Sequence, residues 1–199
     1  MIHRRVNFLR VIAGEYRGRR LDRIEGTDIR PTSDMVKESL FNILGDAVID
    51  SNFLDLFGGT GGIGIEALSR GAKHVVFIDS NIKSIKVLKE NLKHLNIENN
   101  IEVFHTDYST AISKLYKYNK QFDIIFIDPP YSVGIAQSAL GELDRNPIIA
   151  QAGLVIVEHD SRDEMPESTG KLYMYRNKQY GNTTLSFYTL NKQMQQKEE

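Results

Sequence analysis

Short apolar runs alternate with stretches of helical periodicity along most of the chain after Asn52. Continuous apolar runs are typical of strands buried on both faces, whereas apolar residues three and four apart indicate one face of a helix. The predicted strands are Phe53–Phe57, Val75–Ile78, Ile101–Phe104, Phe122–Ile127 and Leu154–Val157. The predicted helices between them are Ile63–Arg70, Ile82–Leu95, Asp107–Lys117 and Ala136–Leu143. This alternation predicts an α/β protein whose parallel sheet is covered by helices on both faces.

The N-terminal part of the chain has a different pattern. The runs Phe8–Ala13 and Arg19–Ile24 flank a glycine-containing turn, which predicts a β-hairpin. A helix should follow this hairpin, because Thr32 or Ser33 can act as its N-cap by accepting a backbone hydrogen bond. The predicted apolar face of that helix consists of Met35, Val36, Leu40, Phe41, Ile43 and Leu44.

The C-terminal part of the chain lacks helices between its apolar runs. Lys171–Arg176 and Thr184–Leu190 predict two strands joined by a glycine-containing turn, an antiparallel addition at the end of the sheet. We therefore expect three parts: a basic hairpin extension at 1–31, a main α/β domain at 32–190 and a polar tail at 191–199.

Composition narrows the possible chemistry. The chain of 199 residues contains no cysteine, so disulfides, cysteine-ligated zinc, iron–sulfur clusters and cysteine nucleophiles are excluded. Its five histidines are scattered without metal-ligand spacing, and no metal site is expected. The sequence has no signal-peptide pattern and no apolar run of membrane-spanning length, so we expect a cytoplasmic protein.

Charge is distributed unevenly, although the formal net charge is only −1. Residues 1–30 contain eight arginines and four acidic residues, and residues 171–199 are also basic, with five basic and two acidic residues. An acidic body with basic ends can bring a polyanion to one face of a protein. The same pattern also fits an ordinary solvated strand surface, and the sequence does not separate these two interpretations.

A glycine-rich segment follows the first strand of the predicted sheet. Gly59, Gly61 and Gly64 fit the pattern G-x-G-x-x-G at a strand-to-helix junction, and Asp79 ends the next strand twenty residues after Gly59. Glycines allow a sharp turn and a close approach to a ligand, and an acid at that strand end can accept hydrogen bonds from ribose hydroxyls. The pattern predicts a nucleoside site, occupied by either NAD or S-adenosylmethionine.

Asp55 lies just before this glycine loop and favours one of these two ligands. A carboxylate repels a pyrophosphate at short range but attracts the ammonium group of a methionine moiety. We therefore favour S-adenosylmethionine over NAD. The alternative is that Asp55 caps a loop and that Asp79 is an ordinary acid at a strand end.

The segment Asp128-Pro129-Pro130-Tyr131 follows the fourth predicted strand and is the most specific motif in the chain. Each proline fixes its own φ angle and holds the preceding residue extended, so Asp128 and the carbonyl of Pro129 are presented rigidly. Two acceptors can bind the two hydrogens of a base amino group, while Tyr131 stacks on the base. The alternative interpretation, without a catalytic role, is a rigid turn with an exposed tyrosine.

The two motifs are expected to meet in space. In a doubly wound sheet, ligands bind at the carboxyl ends of the strands where the strand order reverses, beside the first and fourth strands. The glycine loop follows the first strand and the Asp-Pro-Pro-Tyr segment follows the fourth. Cofactor and target base would therefore share one crevice.

Motifs along nearly the whole chain, from Arg10 to about Leu190, together resemble the RsmD family, which methylates guanine N2 in bacterial 16S ribosomal RNA. The motifs are Arg10-Val11-Ile12-Ala13-Gly14, Arg30-Pro31-Thr32, Lys37-Glu38-Ser39-Leu40-Phe41-Asn42, Asp55-Leu56-Phe57, Gly64-Ile65-Glu66-Ala67-Leu68-Ser69-Arg70-Gly71 and Asp128-Pro129-Pro130-Tyr131. The sequence departs from the family at Gly59-Thr60, where alanine and serine are commoner, and this exchanges small residues for small ones.

The resemblance implies a Rossmann-like, S-adenosylmethionine-dependent methyltransferase fold with a seven-stranded sheet whose last strand is antiparallel. It also implies that the N-terminal hairpin contacts RNA and that the substrate is 16S ribosomal RNA in a small-subunit assembly particle. The implied catalytic residues are Asp128, Pro129, Pro130 and Tyr131. The implied cofactor-binding residues are Asp55, Phe57, Gly58, Gly59, Thr60, Gly61, Asp79 and Asp107. The candidate RNA-binding residues are Arg10, Arg17, Arg19, Arg20 and Arg30.

Other functions fit parts of this pattern. A DNA adenine-N6 methyltransferase shares both motifs but generally needs an additional region that reads duplex DNA, and a protein-glutamine methyltransferase more typically has asparagine at position 128. An NAD oxidoreductase is disfavoured by Asp55 and by the lack of a catalytic set around the histidines. A non-catalytic RNA-binding assembly factor is disfavoured by the intact Asp128 and glycine loop.

Overall fold

The computed structural model describes residues 9–24, 33–130 and 134–190. Its strands are β1 (Leu9–Arg10), β2 (Arg20–Leu21), β3 (Asn52–Asp55), β4 (His74–Asp79), β5 (Ile101–His105), β6 (Phe122–Ile127), β7 (Ile149–Asp160), β8 (Ser168–Thr169), β9 (Leu172–Tyr180) and β10 (Thr183–Thr189). Its α-helices are α1 (Asp34–Leu44), α2 (Gly62–Ser69), α3 (Ile82–His94), α4 (Tyr108–Lys117) and α5 (Ile135–Arg145), and a short 3-10 helix, Gly45–Val48, follows α1.

The main sheet has the strand order β5-β4-β3-β6-β7-β10-β9-β8. The neighbouring strands among β5, β4, β3, β6 and β7 pair in parallel. β10 is antiparallel to both of its neighbours, β7 and β9. The predicted mostly parallel sheet of seven strands with a reversed last strand is therefore confirmed, and the two-residue strand β8 is added at its edge. β7 begins at Ile149, earlier than predicted. The sequence pattern missed its first residues because polar and glycine positions interrupt the apolar run there.

Helices cover both faces of the sheet, as the alternation of elements predicted. On one face Phe53 and Phe77 belong to a core that includes residues of α1, α2, α3 and the N-terminal hairpin. On the other face Leu54 and Val76 pack with residues of α4 and α5. Successive residues of a strand point to opposite faces, so each apolar strand contributes to both cores.

Helix α1 differs from its predicted apolar face at two positions. Its N-cap is Ser33, whose hydroxyl accepts a hydrogen bond from the backbone N–H of Val36. Met35, predicted to be on the apolar face, is exposed, whereas Lys37 is almost completely buried. The helical periodicity could not predict that Lys37 is buried, because a lysine is buried only where an anionic partner compensates its charge.

The N-terminal hairpin is shorter than predicted. β1 and β2 contain two residues each; Val11 still hydrogen-bonds across the hairpin to Gly18 and Arg19, but beyond it the backbone amides bond to α2 instead. The amides of Ile12 and Ala13 donate to the carboxylate of Glu66 at 2.7 and 3.0 Å. The amide of Glu15 donates to the carbonyl of Ser69 at 2.8 Å. Helix α2 therefore takes the place of a neighbouring strand for this segment.

Glu66 is the centre of a buried network of charged groups. Its side chain has no exposed surface, and the guanidinium of Arg70 donates to it at 2.8 Å. The ammonium of Lys37 lies 3.5 Å from the same carboxylate and also donates to the carbonyl of Arg10 at 2.6 Å. Burial lowers the pKa of Lys37, and the negative charge of Glu66 partly opposes this shift. The network fixes residues 10–13 on α1 and α2.

No helix within residues 9–24, 33–130 and 134–190 has both the length and the apolar character required to cross a membrane. Among the same residues, no group of three or more histidine, aspartate or glutamate side chains is arranged to hold a metal ion.

Replacing the buried carboxylate tests the importance of this network. We expect Glu66→Ala to lower the free energy of unfolding by about 3–5 kcal/mol, because it leaves a buried ammonium and two backbone amides without their acceptor. The exposed Glu38→Ala is the control and should change stability by less than about 0.5 kcal/mol. Urea unfolding followed by circular dichroism measures both values. Equal midpoints for the two variants would contradict the role given to Glu66.

Candidate functional site

The glycine loop connects β3 to α2 at the carboxyl edge of the sheet. The amide of Gly58 donates to the carbonyl of Ile78 at 2.7 Å, and the amide of Gly61 donates to the carbonyl of Gly58 at 2.8 Å. Gly59 and Gly61 have φ angles of +51° and +90°, a region that side chains disfavour. These two glycines therefore allow the turn that the pattern predicted.

Gly64 serves a different purpose from the turn glycines. A Cβ atom at this position would lie 2.2 Å from the ring of Phe77 on β4, so only glycine lets α2 pack this closely on the sheet. A Cβ atom on Gly59 would meet only the carbonyl of Phe57 within 4 Å, at 3.9 Å. The outer side of the loop at Gly59 is therefore open to a ligand.

Asp79, at the end of β4, holds the loop and the start of α3 together. One carboxylate oxygen, Oδ2, accepts from the amide of Gly59 at 2.8 Å, and the other, Oδ1, accepts from the amide of Asn81 at 2.7 Å. Asn81 in turn caps α3 by accepting from the amide of Lys83. Asp79 is only partly buried, so its carboxylate lies beside the loop where a ribose acceptor was predicted.

Asp55 lies beneath the loop and is almost completely buried. Its Oδ2 atom accepts from the amide of Gly64 at 3.0 Å, which joins the end of β3 to the first turn of α2. Burial raises the pKa of Asp55 to about 7, the hydrogen bond from Gly64 opposes this rise, and the negative charge of Asp79 adds to it. The group therefore changes charge near neutral pH, which sequence alone did not indicate.

Phe57 and Asp107 lie at the same edge of the sheet. The ring of Phe57 is tilted against that of Tyr108 at the start of α4, with 5.4 Å between ring centroids. Asp107 follows β5 and caps α4, because its carboxylate accepts from the amide of Thr110 at 2.9 Å. Hydrogen bonds from Thr110 lower the pKa of Asp107. This carboxylate thus fixes the start of a helix, and the position near the adenine that the resemblance implied for it stays a prediction.

Asp128 and Pro129 are half-buried at the end of β6, and Pro130 is exposed. All three line a cavity of about 260 Å³ that opens between the ends of β6 and β7 and the start of α5. Tyr131 lies outside the described residues. The cavity is also lined by Gly134, Gln137, Glu158 and His159.

The strand register brings the two motifs to one place. Asp55 pairs with Phe126, two residues before Asp128, and the amide of Leu56 donates to the carbonyl of Phe126 at 3.0 Å. β3 has β4 on one side and β6 on the other, so the strand order reverses between β3 and β6. The predicted meeting of the glycine loop and the Asp-Pro-Pro segment at a reversal of strand order is present.

Four of the five predicted RNA-binding arginines lie in the described hairpin. The side chain of Arg10 donates to the first acidic residue of α1 at 3.1 Å, and that of Arg19 donates to the last carbonyl of α3, also at 3.1 Å. Arg17 and Arg20 have exposed side chains. Arg30 lies outside the described residues. Arg10 therefore lies on the α1 side of the hairpin and Arg19 on the α3 side.

Asn91 is a residue of this region that the sequence patterns did not identify. Its side chain, almost completely buried on α3, donates from Nδ2 to the carbonyls of Asp22 and Thr60 at 3.1 and 2.9 Å. Its Oδ1 atom accepts from the amide of Asp22 at 2.7 Å. One amide group thus connects the end of the hairpin to the glycine loop. The one sequence signal that could have identified Asn91 is its position on the apolar side of a predicted helix.

Two curated relatives cover most of this chain. The rRNA methyltransferase candidate YlbH of Bacillus subtilis is 41% identical over 180 residues, which are 90% of this chain and 98% of the relative. Ribosomal RNA small subunit methyltransferase D of Escherichia coli is 32% identical over 180 residues, which are 90% of this chain and 89% of the relative.

Solved structures agree with the observed topology. The methyltransferase candidate yhhF of Escherichia coli has a TM-score of 0.81 and 30% identity, with 92% of this chain and 97% of that chain covered. The Thermus thermophilus 16S rRNA N2 G1207 methyltransferase RsmC, solved with AdoMet and guanosine, has a TM-score of 0.65 and 20% identity, with 83% and 44% covered. The second likeness concerns the fold alone.

The family model described as Conserved hypothetical protein 95 matches residues 9–189, which include the hairpin, both motifs and the antiparallel end of the sheet. The fold is that of S-adenosylmethionine-dependent methyltransferases. The chain belongs to the Conserved hypothetical protein 95 family, which is the RsmD family.

Proposed function

We propose that this protein transfers a methyl group from S-adenosylmethionine to the exocyclic N2 amine of a guanine in 16S ribosomal RNA, within a small-subunit assembly particle. One observation carries the proposal: Asp128 and its two prolines leave β6 directly beside β3, whose glycine loop lies at the same sheet edge. The rRNA methyltransferases among the relatives support a small-subunit rRNA substrate.

The residues of the glycine loop fit S-adenosylmethionine. Gly59 leaves the outer side of the loop open, and Asp79 offers a partly exposed carboxylate to ribose hydroxyls. Asp55 would attract the ammonium of the methionine moiety, while Phe57 and Asp107 would border the adenosine. Gly58, Thr60 and Gly61 complete the cofactor-binding set. When bound, S-adenosylmethionine supplies an electrophilic methyl group on a sulfonium.

Asp128 and the carbonyl of Pro129 orient the amine that accepts the methyl group. A base amine is a weak nucleophile because its lone pair is delocalised into the ring. Two acceptors at its hydrogens favour a pyramidal nitrogen, and Pro129 and Pro130 offer no competing N–H donor. As positive charge develops on the nitrogen, Asp128 stabilises the transition state more than the ground state and can then take the proton that the amine loses. Tyr131 would stack on the guanine and fix its plane.

The extension of residues 1–31 would position the RNA. Arg10, Arg17, Arg19, Arg20 and Arg30 suit phosphate oxygens, because a guanidinium binds them with two parallel hydrogen bonds. Phosphate contacts position a protein on RNA without selecting a base. Selection of the guanine would therefore remain with the cavity beside Asp128.

A methyl-transfer assay with several nucleic acids tests this function. With tritiated S-adenosylmethionine, we expect undermethylated 30S particles to be labelled well above naked 16S rRNA and above DNA. Nucleoside analysis of the product should give N2-methylguanosine. Labelling of adenine in DNA would favour the DNA methyltransferase instead. Cofactor and particle binding without any transfer would favour a non-catalytic assembly factor.

Substitution of Asp128 tests the chemical step. We expect Asp128→Ala to lower kcat by about 10²–10³-fold, because it removes an acceptor that acts mainly in the transition state. Asp128→Asn keeps a carbonyl acceptor and should lose less activity than the alanine variant. Calorimetry should give an unchanged affinity for S-adenosylmethionine in both variants, since Asp128 faces the base. Near-normal single-turnover transfer by Asp128→Ala would refute this mechanism.

The raised pKa of Asp55 predicts a pH-dependent cofactor affinity. Asp55 is neutral below its pKa of about 7 and ionised above it, and only the ionised form attracts the methionine ammonium. Linkage therefore predicts that affinity rises by about tenfold between about pH 6 and pH 8. Calorimetric titration of the Asp55→Asn variant is the control, because any pH dependence of its affinity must arise from the amine of S-adenosylmethionine itself. Identical pH profiles for the two proteins would exclude an ionic role for Asp55.

A further inference from the structure

The outer face of α3 is a row of lysines. Lys83, Lys86, Lys89 and Lys93 are all exposed, and they recur at the three- and four-residue spacing that places helical side chains on one side. The buried side of the helix consists of other residues: Ser84, Ile85, Leu88, Asn91 and Leu92.

Among the described residues, these four lysines differ from Lys37 and Lys120 in having no acidic partner within ion-pair distance. Lys37 and Lys120 form ion pairs with glutamates. No such pair within 4.0 Å involves the four α3 lysines in the part of the chain that the structure describes. The exposed Glu90 is the one acidic side chain on α3 itself. The face therefore presents positive charge to solvent.

The hairpin packs along the same helix. The backbone of Asp22 exchanges two hydrogen bonds with the side chain of Asn91, and its carboxylate lies 3.3 Å from the ring of His94. The guanidinium of Arg19 reaches the carbonyl of His94 at 3.1 Å. These contacts hold the second half of the hairpin against the C-terminal part of α3. The two elements are separate in sequence, but the fold brings Arg19 of the hairpin beside the end of α3 that carries Lys93.

We propose that Lys83, Lys86, Lys89 and Lys93 form a second RNA-binding element, which binds backbone phosphates of the ribosomal RNA together with the hairpin arginines. This inference rests on the proposed function. Lysine ammonium groups bind phosphates as point charges, and Lys86 and Lys93 lie about 10 Å apart along the helix axis. α3 starts three residues after Asp79, so the surface begins at the cofactor edge and extends away from it. RNA held there passes close to the methyl-transfer site.

The test compares two pairs of exposed lysines on opposite faces of the sheet. Lys86→Ala/Lys93→Ala removes two charges from α3, and Lys114→Ala/Lys117→Ala removes two from α4, which packs on the other core. Binding to undermethylated 30S particles is measured over a range of salt concentrations. The α3 variant should lose about two units of the slope of log K against log salt and bind about tenfold more weakly. The α4 variant should match the wild type.

Two further measurements separate RNA contact from other effects. The α3 variant should raise KM for the particle and leave both kcat and S-adenosylmethionine affinity unchanged. Its urea midpoint should match that of the wild type, since surface substitutions change stability by less than about 0.5 kcal/mol. A thermal or urea shift confined to this variant would assign the lysines to folding and overturn the proposal.

The remaining outcomes are also decisive. An unchanged salt slope in the α3 variant, or an equal loss in the α4 variant, overturns the α3 surface while leaving the methyltransferase function intact. Normal particle binding together with lost retention on immobilised polyglutamate would assign the surface to an acidic protein instead. Failure of the wild type to bind or methylate any 30S particle would overturn the proposed function itself.

Discussion

The carboxylate of Glu66 has no exposed surface, and a charge in that position is stable only when other groups replace the water it has lost. Lys37, Arg70 and the amides of Ile12 and Ala13 provide that replacement. The two amides also need the carboxylate, because they do not hydrogen-bond to the partner strand of the hairpin and require another acceptor. The hairpin is therefore attached to α2 by paired polar groups, and apolar packing of the hairpin completes the contact.

Helix α2 joins the two parts of the molecule that the proposed reaction needs. Its first turn receives the glycine loop and is held to β3 by the hydrogen bond between Gly64 and Asp55. One turn later Glu66 holds the N-terminal segment, and the helix ends where Ser69 binds the same segment again. A helix is stiff along its axis, so the cofactor loop and the hairpin keep a fixed relation. Asn91 provides a second, independent connection between them.

The sequence predicted the central sheet well because its strands are buried on both faces and appear as uninterrupted apolar runs. The glycine loop and the Asp-Pro-Pro segment were also predictable, since they depend on backbone geometry that only glycine and proline provide. Lys37 and Asn91 were not, because their burial depends on partners 29 and 69 residues away along the chain. The predicted length of the hairpin was wrong for the same reason, because the groups that replace its cross-strand hydrogen bonds belong to a distant helix.

The distribution of charge over the fold is consistent with a division between holding RNA and selecting a base. The cavity beside Asp128 is lined by several acidic residues, Glu158 among them, which suits the hydrogen-bond donors on a guanine edge but repels phosphates. Apart from Arg162, which lines the cavity but pairs with Asp160, the cations nearest the cofactor loop lie on its other side, on the hairpin and α3. Phosphate contacts position RNA, and base contacts specify it. In the proposed reaction, separating the two charges in space would let the RNA backbone be held firmly while only a turned-out base entered the acidic cavity.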